Sequence, residues 1–316
     1  MIMAGPVLSV SGLTKRFRKF EARVGVNLSV EPGTVFSLLG QNGAGKTTLI
    51  KVLLGILKPS EGTARVLGYP VGSVQARRKI GYLPEDHRFP EYHTGPSLLE
   101  FYGGLQGIPR HERRKRIGFW LDRVGLGGRE SVRIRGYSKG MKQRIGLAQA
   151  LIHDPDLVFL DEPTDGVDPV GRREIRDLML DLKRMGKTLF LNSHLLGEVE
   201  LVSDRVAILN KGKMVREGSL TELTGGRPSW IFGFAKDPTT FRKTLMTLGV
   251  PNTYLDSNQA SPFHQWEVFP KSEQVLGELV KLAGEDPGGL RFLHPRRESL
   301  EDVYLDSLGK KEAAST

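Results

Sequence analysis

The chain has 316 residues, which is enough for about two domains that each bury a hydrophobic core. Its hydrophobic content of 39% and charged content of 26% are those of a globular protein, and they exclude disordered and fibrous classes. The absence of cysteine excludes a disulfide framework and a thiolate metal site, while the formal net charge of +10 favours anionic partners such as nucleotide, an acidic membrane surface or nucleic acid.

Short apolar runs mark the buried strands of the first part of the chain. They cover residues 35–39, 157–160, 189–191 and 206–209, and polar or turn residues bound each of them. Continuous apolar runs of this length are typical of parallel strands that are covered on both faces. Because helical segments fill the gaps, the sequence predicts an α/β domain over residues 1–224 with a mostly parallel sheet.

A helical insert is predicted within this domain, at about residues 96–150, where no strand pattern occurs. Its apolar side chains follow the i, i+3, i+4, i+7 spacing of one helix face at Ile117, Trp120, Leu121 and Val124.

A second domain is predicted beyond residues 225–229, whose glycines, proline and polar residues suit a linker. The pattern over residues 230–316 predicts the order β-α-β-β-α-β, which is the ferredoxin-like arrangement. We expect this small α+β domain to be accessory or regulatory. No apolar run approaches the roughly eighteen residues of a membrane span and the N-terminus lacks a signal-peptide pattern, so we expect a cytoplasmic protein.

Residues 40–47 fit the phosphate-loop pattern G-x-x-x-x-G-K-[ST], directly after an apolar strand and before a helical segment. Glycines let successive backbone N–H groups and the helix N-terminus surround phosphates. We expect Lys46 to contact the β- and γ-phosphates of ATP, and the Thr47 hydroxyl to bind Mg²⁺. The predicted ATP-binding residues of this segment are Gly40, Gln41, Asn42, Gly43, Ala44, Gly45, Lys46, Thr47 and Thr48.

Two carboxylates, Asp161 and Glu162, follow the apolar run 157–160. The carboxyl end of a parallel strand is where ligands bind in open α/β sheets. We expect Asp161 to hold Mg²⁺ directly or through water, and Glu162 to polarise the attacking water as a general base. Together with the phosphate loop, these residues predict binding and hydrolysis of ATP with Mg²⁺.

In this order the elements resemble an ABC-type ATPase cassette, a P-loop NTPase with a helical subdomain, over residues 1–224. Residues 137–144, YSKGMKQR, resemble the family signature L-S-G-G-Q; Ser138 and Gly140 match it and the other three positions do not. The resemblance implies that the signature closes over the nucleotide of a second cassette, so that the working unit is a dimer, expected to be a homodimer. The residues concerned are Ser138, Lys139, Gly140 and Met141.

The resemblance assigns three further positions. Asp168 matches the acidic position of the loop after the second carboxylate, which lies at the dimer interface. His194 resembles the catalytic switch histidine that contacts the γ-phosphate. Phe17 occupies the place of the aromatic residue against adenine; burial in the core is the alternative for Phe17, and Phe20 is the next candidate for the adenine contact.

One departure from the family bears on the chemistry. Residues 80–85 resemble the glutamine loop, but Glu85 stands at the glutamine position. A carboxylate still binds Mg²⁺ and adds negative charge close to the triphosphate. We therefore predict weaker ATP affinity or stronger Mg²⁺ dependence.

A single cassette without a membrane span resembles the separate ATPase subunit of a transporter, peripheral on the cytoplasmic face of the membrane, with its transmembrane permease subunits as other polypeptides. The signature, the loop ending at Glu85 and residues 298–305 resemble the exporter-type branch. The alternatives are an importer subunit, a soluble ATPase that acts on nucleic acid or ribosomes, and an inactive regulatory binder. Family members that act on nucleic acid or ribosomes usually carry two cassettes or long coiled-coil insertions, so no nucleic acid partner is expected.

Overall fold

The computed structural model describes residues 5–16, 25–225, 229–255, 262–296 and 298–309. The chain forms two compact units. The first unit consists of Met1–Leu220 together with Tyr304–Thr316, and the second unit is Thr221–Val303. The predicted boundaries of two domains, at residues 1–224 and 230–316, stay a prediction. None of the described helices is long and apolar enough to cross a bilayer.

The elements follow one another in this order. The strands are β1 (Leu8–Thr14), β2 (Val26–Val30), β3 (Val35–Gly40), β4 (Glu61–Val66), β5 (Tyr69–Pro70), β6 (Ile80–Leu83), β7 (Leu157–Asp161), β8 (Thr188–Asn192), β9 (Arg205–Asn210), β10 (Lys213–Ser219), β11 (Ser229–Phe234), β12 (Asn252–Leu255), β13 (His264–Val268) and β14 (Leu290–Arg296). The helices are α1 (Lys46–Leu53), α2 (Val74–Arg77), α3 (Gly95–Leu105), α4 (Arg110–Arg123), α5 (Lys139–Leu151), α6 (Pro169–Arg184), α7 (Leu196–Val202), α8 (Leu220–Thr224), α9 (Thr239–Thr247), α10 (Glu273–Glu285) and α11 (Leu300–Ser307), with a 3-10 helix at Ile134–Gly136.

The first unit contains a six-stranded sheet in the order β10-β9-β3-β8-β7-β6. Its neighbours pair in parallel except at the β9–β10 edge. The four apolar runs of the sequence form β3, β7, β8 and β9, which confirms the predicted α/β class with a mostly parallel sheet. A second sheet, antiparallel in the order β2-β1-β4-β5, was not predicted. Its strands are only partly buried, so they lack the continuous apolar runs of the central strands.

Between β6 and β7 the chain forms α3, α4, the 3-10 helix and α5, as the helical insert was predicted to do. Ile117, Trp120 and Leu121 are buried along one face of α4, in agreement with their spacing. Side-chain oxygens of Thr94 and Ser138 cap the N-termini of α3 and α5, because each accepts a hydrogen bond from the backbone N–H three residues later.

An aromatic row sets the register of the central strands. Phe36 of β3 lies opposite Phe190 of β8, which in turn lies opposite Phe159 of β7. The ring centroids are 5.4 Å apart for Phe36 and Phe190 and 5.2 Å apart for Phe159 and Phe190, and all three side chains are fully buried. Since side chains alternate between the two faces of a sheet, the residues two positions later lie on the same face as this row.

The second unit has the predicted order β11-α9-β12-β13-α10-β14. Its sheet runs β12-β13-β11-β14 with every neighbouring pair antiparallel, which is the ferredoxin-like arrangement. Phe232, Phe234 and Phe241 are fully buried in the core of this unit, and the Phe241 ring contacts the rings of both Phe232 and Phe234.

We predict that F190A lowers the free energy of unfolding by about 3–5 kcal/mol, because it leaves a cavity between two buried rings. Urea unfolding of wild type and variant measures this. F101A is the control, since the Phe101 side chain is half-exposed and its truncation is expected to cost less than about 1 kcal/mol. Equal destabilisation by the two variants would contradict the role given to the aromatic row.

Candidate functional site

The candidate site lies where three neighbouring strands end. In the sheet order β8 stands between β3 and β7, and Leu38, Asn192 and Asp161 are side by side in the register. These residues follow the aromatic row by two positions, so packing of the row places Asp161 beside Asn192. The carboxyl ends of the strands carry the phosphate loop, Glu162 and His194.

The phosphate loop connects β3 to α1 in a conformation that needs glycine. Gly43 and Gly45 have φ values of 81° and 104°, which side chains rarely adopt. A Cβ on Gly40 would lie 2.4 Å from the Leu209 carbonyl oxygen. The loop therefore passes close to β9. It continues into α1 at Lys46, and the first N–H groups of a helix have no hydrogen-bond partner inside that helix.

Lys46 is held inside this loop. Its Nζ donates hydrogen bonds to the carbonyl oxygens of Gly40 at 2.6 Å and Gln41 at 3.2 Å. Burial lowers the pKa of Lys46, while the negative charges of Glu162 and Asp161 act to raise it. The ammonium group is thus fixed close to the carboxylates in a poorly solvated place, where its charge has a strong effect.

Asp161, the last residue of β7, is almost fully buried. Asn192 Nδ2 donates a hydrogen bond to Asp161 Oδ1, whereas Oδ2 has no hydrogen-bond partner within the described part of the chain. Burial raises the pKa of Asp161, and the bond from Asn192 opposes that shift. A buried carboxylate oxygen without a partner is costly in a folded protein and fits a site that receives a cation.

Glu162 has a left-handed backbone, with φ of 52°, which costs energy for a residue other than glycine. Its N–H donates to the Asn192 carbonyl oxygen at 2.8 Å. His194 Nδ1 lies 2.8 Å from Glu162 Oε2, and the His194 backbone N–H donates to the same oxygen at 3.3 Å. Burial raises the pKa of Glu162, and His194 lowers it by its charge and its hydrogen bonds.

A cleft of about 760 Å³ brings most of the predicted site residues together. Its lining consists of Gly40, Gln41, Asn42, Gly43, Gly45, Lys46, Thr47, Thr48, Glu85, Glu162, Asp165, Asn192, His194 and Tyr304. Ala44 and Asp161 are buried beside it. Glu85, the departure from the glutamine pattern, is exposed in the cleft wall.

Three lining residues were not predicted from the sequence. Asn192 ends an apolar strand, so the reasoning that selected Asp161 also applied to it. Asp165 follows Glu162 in a turn, with its N–H bonded to the Glu162 carbonyl oxygen at 3.1 Å. Tyr304 lies in α11, and nothing in its local pattern connects it with the phosphate loop.

The signature residues do not line this cleft. Ser138 Oγ accepts a hydrogen bond from Met141 N at 3.2 Å, so Ser138 caps α5, with Lys139 and Gly140 in its first turn. The Asp168 carboxylate similarly accepts from Gly171 N at 2.7 Å and caps α6. Phe17 and Phe20 fall outside the described residues.

The signature helix nevertheless contacts the turn that follows Glu162. Lys139 Nζ is 2.7 Å from Asp165 Oδ2, and this ion pair lowers the pKa of Asp165. Gln143 Nε2 donates to the Glu162 carbonyl oxygen at 3.1 Å. The lysine that departs from the signature pattern is therefore an ion-pair partner of a residue in the cleft wall.

Comparison with known proteins places these features in one family. The profile of a family described as ABC transporter matches residues 24–165. An uncharacterized ABC transporter ATP-binding protein of Nostoc sp. is 40% identical over 98% of this chain and 91% of its own length. The Nod factor export ATP-binding protein I of Ralstonia nicotianae is 32% identical over 97% of this chain and 95% of its own length.

A solved structure described as the ATP binding subunit of an ABC transporter superposes with a TM-score of 0.65. It is 29% identical and covers 69% of this chain and 92% of its own length.

The pairing of Glu162 with His194 predicts a shift in the pH dependence of ATP turnover. If Glu162 is the general base, as the sequence predicts, it acts when deprotonated, and we expect activity to fall as pH drops through its raised pKa. In H194Q the carboxylate loses the partner that lowers its pKa, and we expect the acid limb of kcat to move to higher pH. Profiles of kcat against pH give the midpoint of the acid limb, and this midpoint does not depend on how much the variant lowers the maximal kcat.

The control variant is H93Q, which removes a histidine outside the cleft and should leave the midpoint unchanged. An acid limb of H194Q at the wild-type pH or below it would contradict the assignment of Glu162 as the group that titrates.

Proposed function

The chain belongs to the family of ABC transporter ATP-binding proteins, and on that premise we propose that this ATP-binding subunit hydrolyses ATP with Mg²⁺ to drive export through separate transmembrane subunits. ATP binding and ATPase activity follow from the family. The Mg²⁺ dependence, the direction of transport, the roles of individual residues and the partners are parts of the proposal.

One observation carries the proposed chemistry: the phosphate loop, Asp161 and the Glu162–His194 pair lie together at the carboxyl edge of β3, β8 and β7. A cation, a metal-binding carboxylate and a paired general base in one cleft are the groups that phosphoryl transfer to water requires.

ATP would bind with its phosphates along the loop from Gly40 to Thr48. The unpaired N–H groups at the start of α1 and the dipole of that helix favour negative charge there. Lys46 would exchange its hydrogen bonds to the Gly40 and Gln41 carbonyl oxygens for bonds to the phosphates. Since these carbonyls already hold Nζ inside the loop, the lysine needs little reorganisation to reach the triphosphate.

Mg²⁺ would be held by Thr47, Asp161 and Glu85, together with phosphate oxygens and water. Among the described residues, Oδ2 of buried Asp161 has no hydrogen-bond partner, which supports this fit. No group of three or more histidine, aspartate and glutamate side chains among the described residues is arranged to hold an ion by itself. Mg²⁺ commonly uses one or two carboxylates and substrate phosphates, and when bound it neutralises charge on the phosphates.

Glu162 would act as the general base. Its carboxylate takes a proton from the water that attacks the γ-phosphorus, while the bond from that phosphorus to the β–γ bridging oxygen breaks and leaves ADP. His194 holds Glu162 Oε2 through Nδ1 and its backbone N–H, which fixes the direction of the base. We further propose that His194 contacts the γ-phosphate.

A second copy of the chain would complete the site. Ser138, Lys139, Gly140 and Met141 lie outside the cleft of their own chain, which supports their proposed contact with the nucleotide of the partner cassette. ATP would then join two cassettes, and hydrolysis would release them.

The transmembrane partners would bind α3 of the helical insert and the loop before it, for which we propose an exposed surface of three aromatic rings and one leucine: Tyr92, His93, Phe101 and Leu105. Tyr92, Phe101 and Leu105 are 71%, 51% and 68% exposed. The rings of Tyr92 and His93 are 4.6 Å apart, and those of His93 and Phe101 6.0 Å apart, so they form one patch. Exposed apolar patches of this kind mark interaction sites. Such binding places the chain on the cytoplasmic face of the membrane.

The similarity to a protein named for Nod factor export supports the exporter assignment.

The central test compares ATP turnover of wild type, K46A and E162Q. We expect K46A to lose nucleotide affinity, because the phosphates lose their charged partner, and E162Q to bind ATP while kcat falls at least about 100-fold. Light scattering of E162Q should show a dimer with Mg-ATP and a monomer without it. Intact affinity and turnover in K46A would overturn the proposed function, and a monomeric E162Q under saturating Mg-ATP would overturn the composite site.

A further prediction concerns Glu85. Its negative charge in the cleft wall adds to the rise in the pKa of Asp161 and opposes the lowering of the pKa of Lys46, whereas burial is the largest cause of both shifts. If Glu85 also binds Mg²⁺, E85Q should need more Mg²⁺ for half-maximal turnover, while its affinity for metal-free ATP should rise as repulsion is removed. Titrations of turnover with Mg²⁺ at fixed ATP measure the first effect. D86N, which alters the adjacent acidic residue, is the control, and an unchanged Mg²⁺ dependence in E85Q would exclude Glu85 from the metal site.

A further inference from the structure

Tyr304 belongs to the wall of the nucleotide cleft although it lies far along the chain. The described residues that line this cleft otherwise come from residues 40–194. Tyr304 is part of α11, within the segment 298–305 that the sequence singled out and that the proposed function does not use. Residues from Tyr304 onward belong to the same compact unit as the phosphate loop.

A chain of contacts within that unit connects Asp306 with the phosphate loop. Asp306, two residues after Tyr304, forms an ion pair with Arg216 of β10. The turn before β10 bonds directly to the phosphate loop, because Gly212 N donates to the Ala44 carbonyl oxygen at 3.0 Å. One strand thus connects the end of α11 with the loop that carries Lys46.

The surroundings of Tyr304 suit a hydrogen-bond donor. Leu300 and Val303 are buried on one face of α11, and helical spacing puts Tyr304 on the margin of that face. The side chain is half-buried, and this burial raises the pKa of its phenol. The phenol therefore keeps its proton at neutral pH and donates, which suits an anionic ligand without adding charge to the cleft.

We propose that Tyr304 is a nucleotide-binding residue whose hydroxyl donates a hydrogen bond to an oxygen of the bound nucleotide. This inference rests on the proposed function, because it requires a nucleotide in the cleft. It adds to the site a group from α11 that neither the phosphate loop nor the strand-end carboxylates supply.

The affinity test uses Mg-ADP, because ADP lacks the γ-phosphate that the proposed joining of two cassettes requires. Loss of one hydrogen bond to a charged group is expected to raise the Kd of Y304F for ADP by about tenfold. Calorimetric titration measures this, with thermal unfolding to show that the variant is folded. Y254F is the matched control, since Tyr254 is exposed and does not line the cleft.

A direct test exploits the absence of cysteine from the chain, because Y304C then carries a single thiol. We expect saturating Mg-ADP to slow maleimide labelling of Y304C several-fold. Y92C, with its thiol in the loop before α3 and outside the cleft, should label at the same rate with and without nucleotide.

The outcomes separate this inference from the proposed function. If wild type fails to bind Mg-ADP, the proposed nucleotide site itself is wrong. If wild type binds and Y304C labels equally fast with and without ADP, or if Y304F binds as tightly as wild type, the assignment of Tyr304 is overturned while the proposed function stands. Should Y304C not fold, the affinity of Y304F decides alone.

Discussion

The in-register pairing of β3, β8 and β7 is the constraint on which the site depends. Packing of the Phe36, Phe190 and Phe159 rings across these strands fixes the register where all three side chains are fully buried. A slip of one residue would turn each side chain to the other face of the sheet. Packing of the three rings therefore places Asp161 beside Asn192 in the register. Glu162, the next residue in the chain, is positioned by the same pairing.

The candidate site holds three ionisable groups, Lys46, Asp161 and Glu162, that are largely buried. Burial raises the pKa of Asp161 and of Glu162 and lowers that of Lys46, and each shift is opposed by a nearby group that stabilises the charged form. The two acids and the lysine are therefore less well solvated than surface groups, and each interacts strongly with charge brought close to it. A nucleotide with its metal would bring both signs of charge next to these groups, which is consistent with the proposed substrate.

Contacts between segments that are remote in sequence connect this charged centre to the rest of the first unit. Lys139, where the family signature has glycine, pairs with Asp165 of the cleft wall, and Gln143 of the same helix holds the Glu162 carbonyl oxygen. A displacement of α5 would therefore move the turn that carries Glu162, the proposed general base. The half-exposed ion pair contributes little to stability, so its value lies in placing Asp165.

The sequence alone determined the phosphate loop, the carboxylates Asp161 and Glu162, the central strands and the order of elements beyond residue 229. Each of these depends on spacing within a few residues or on the period of one element, which a local pattern records. The tertiary structure decided the antiparallel sheet with its partly buried strands, the pairing of Asn192 with Asp161, the ion pair of Lys139 with Asp165 and the place of Tyr304 in the cleft. These depend on strand order, register and contacts between distant segments, and such contacts leave no periodic mark in the amino-acid sequence.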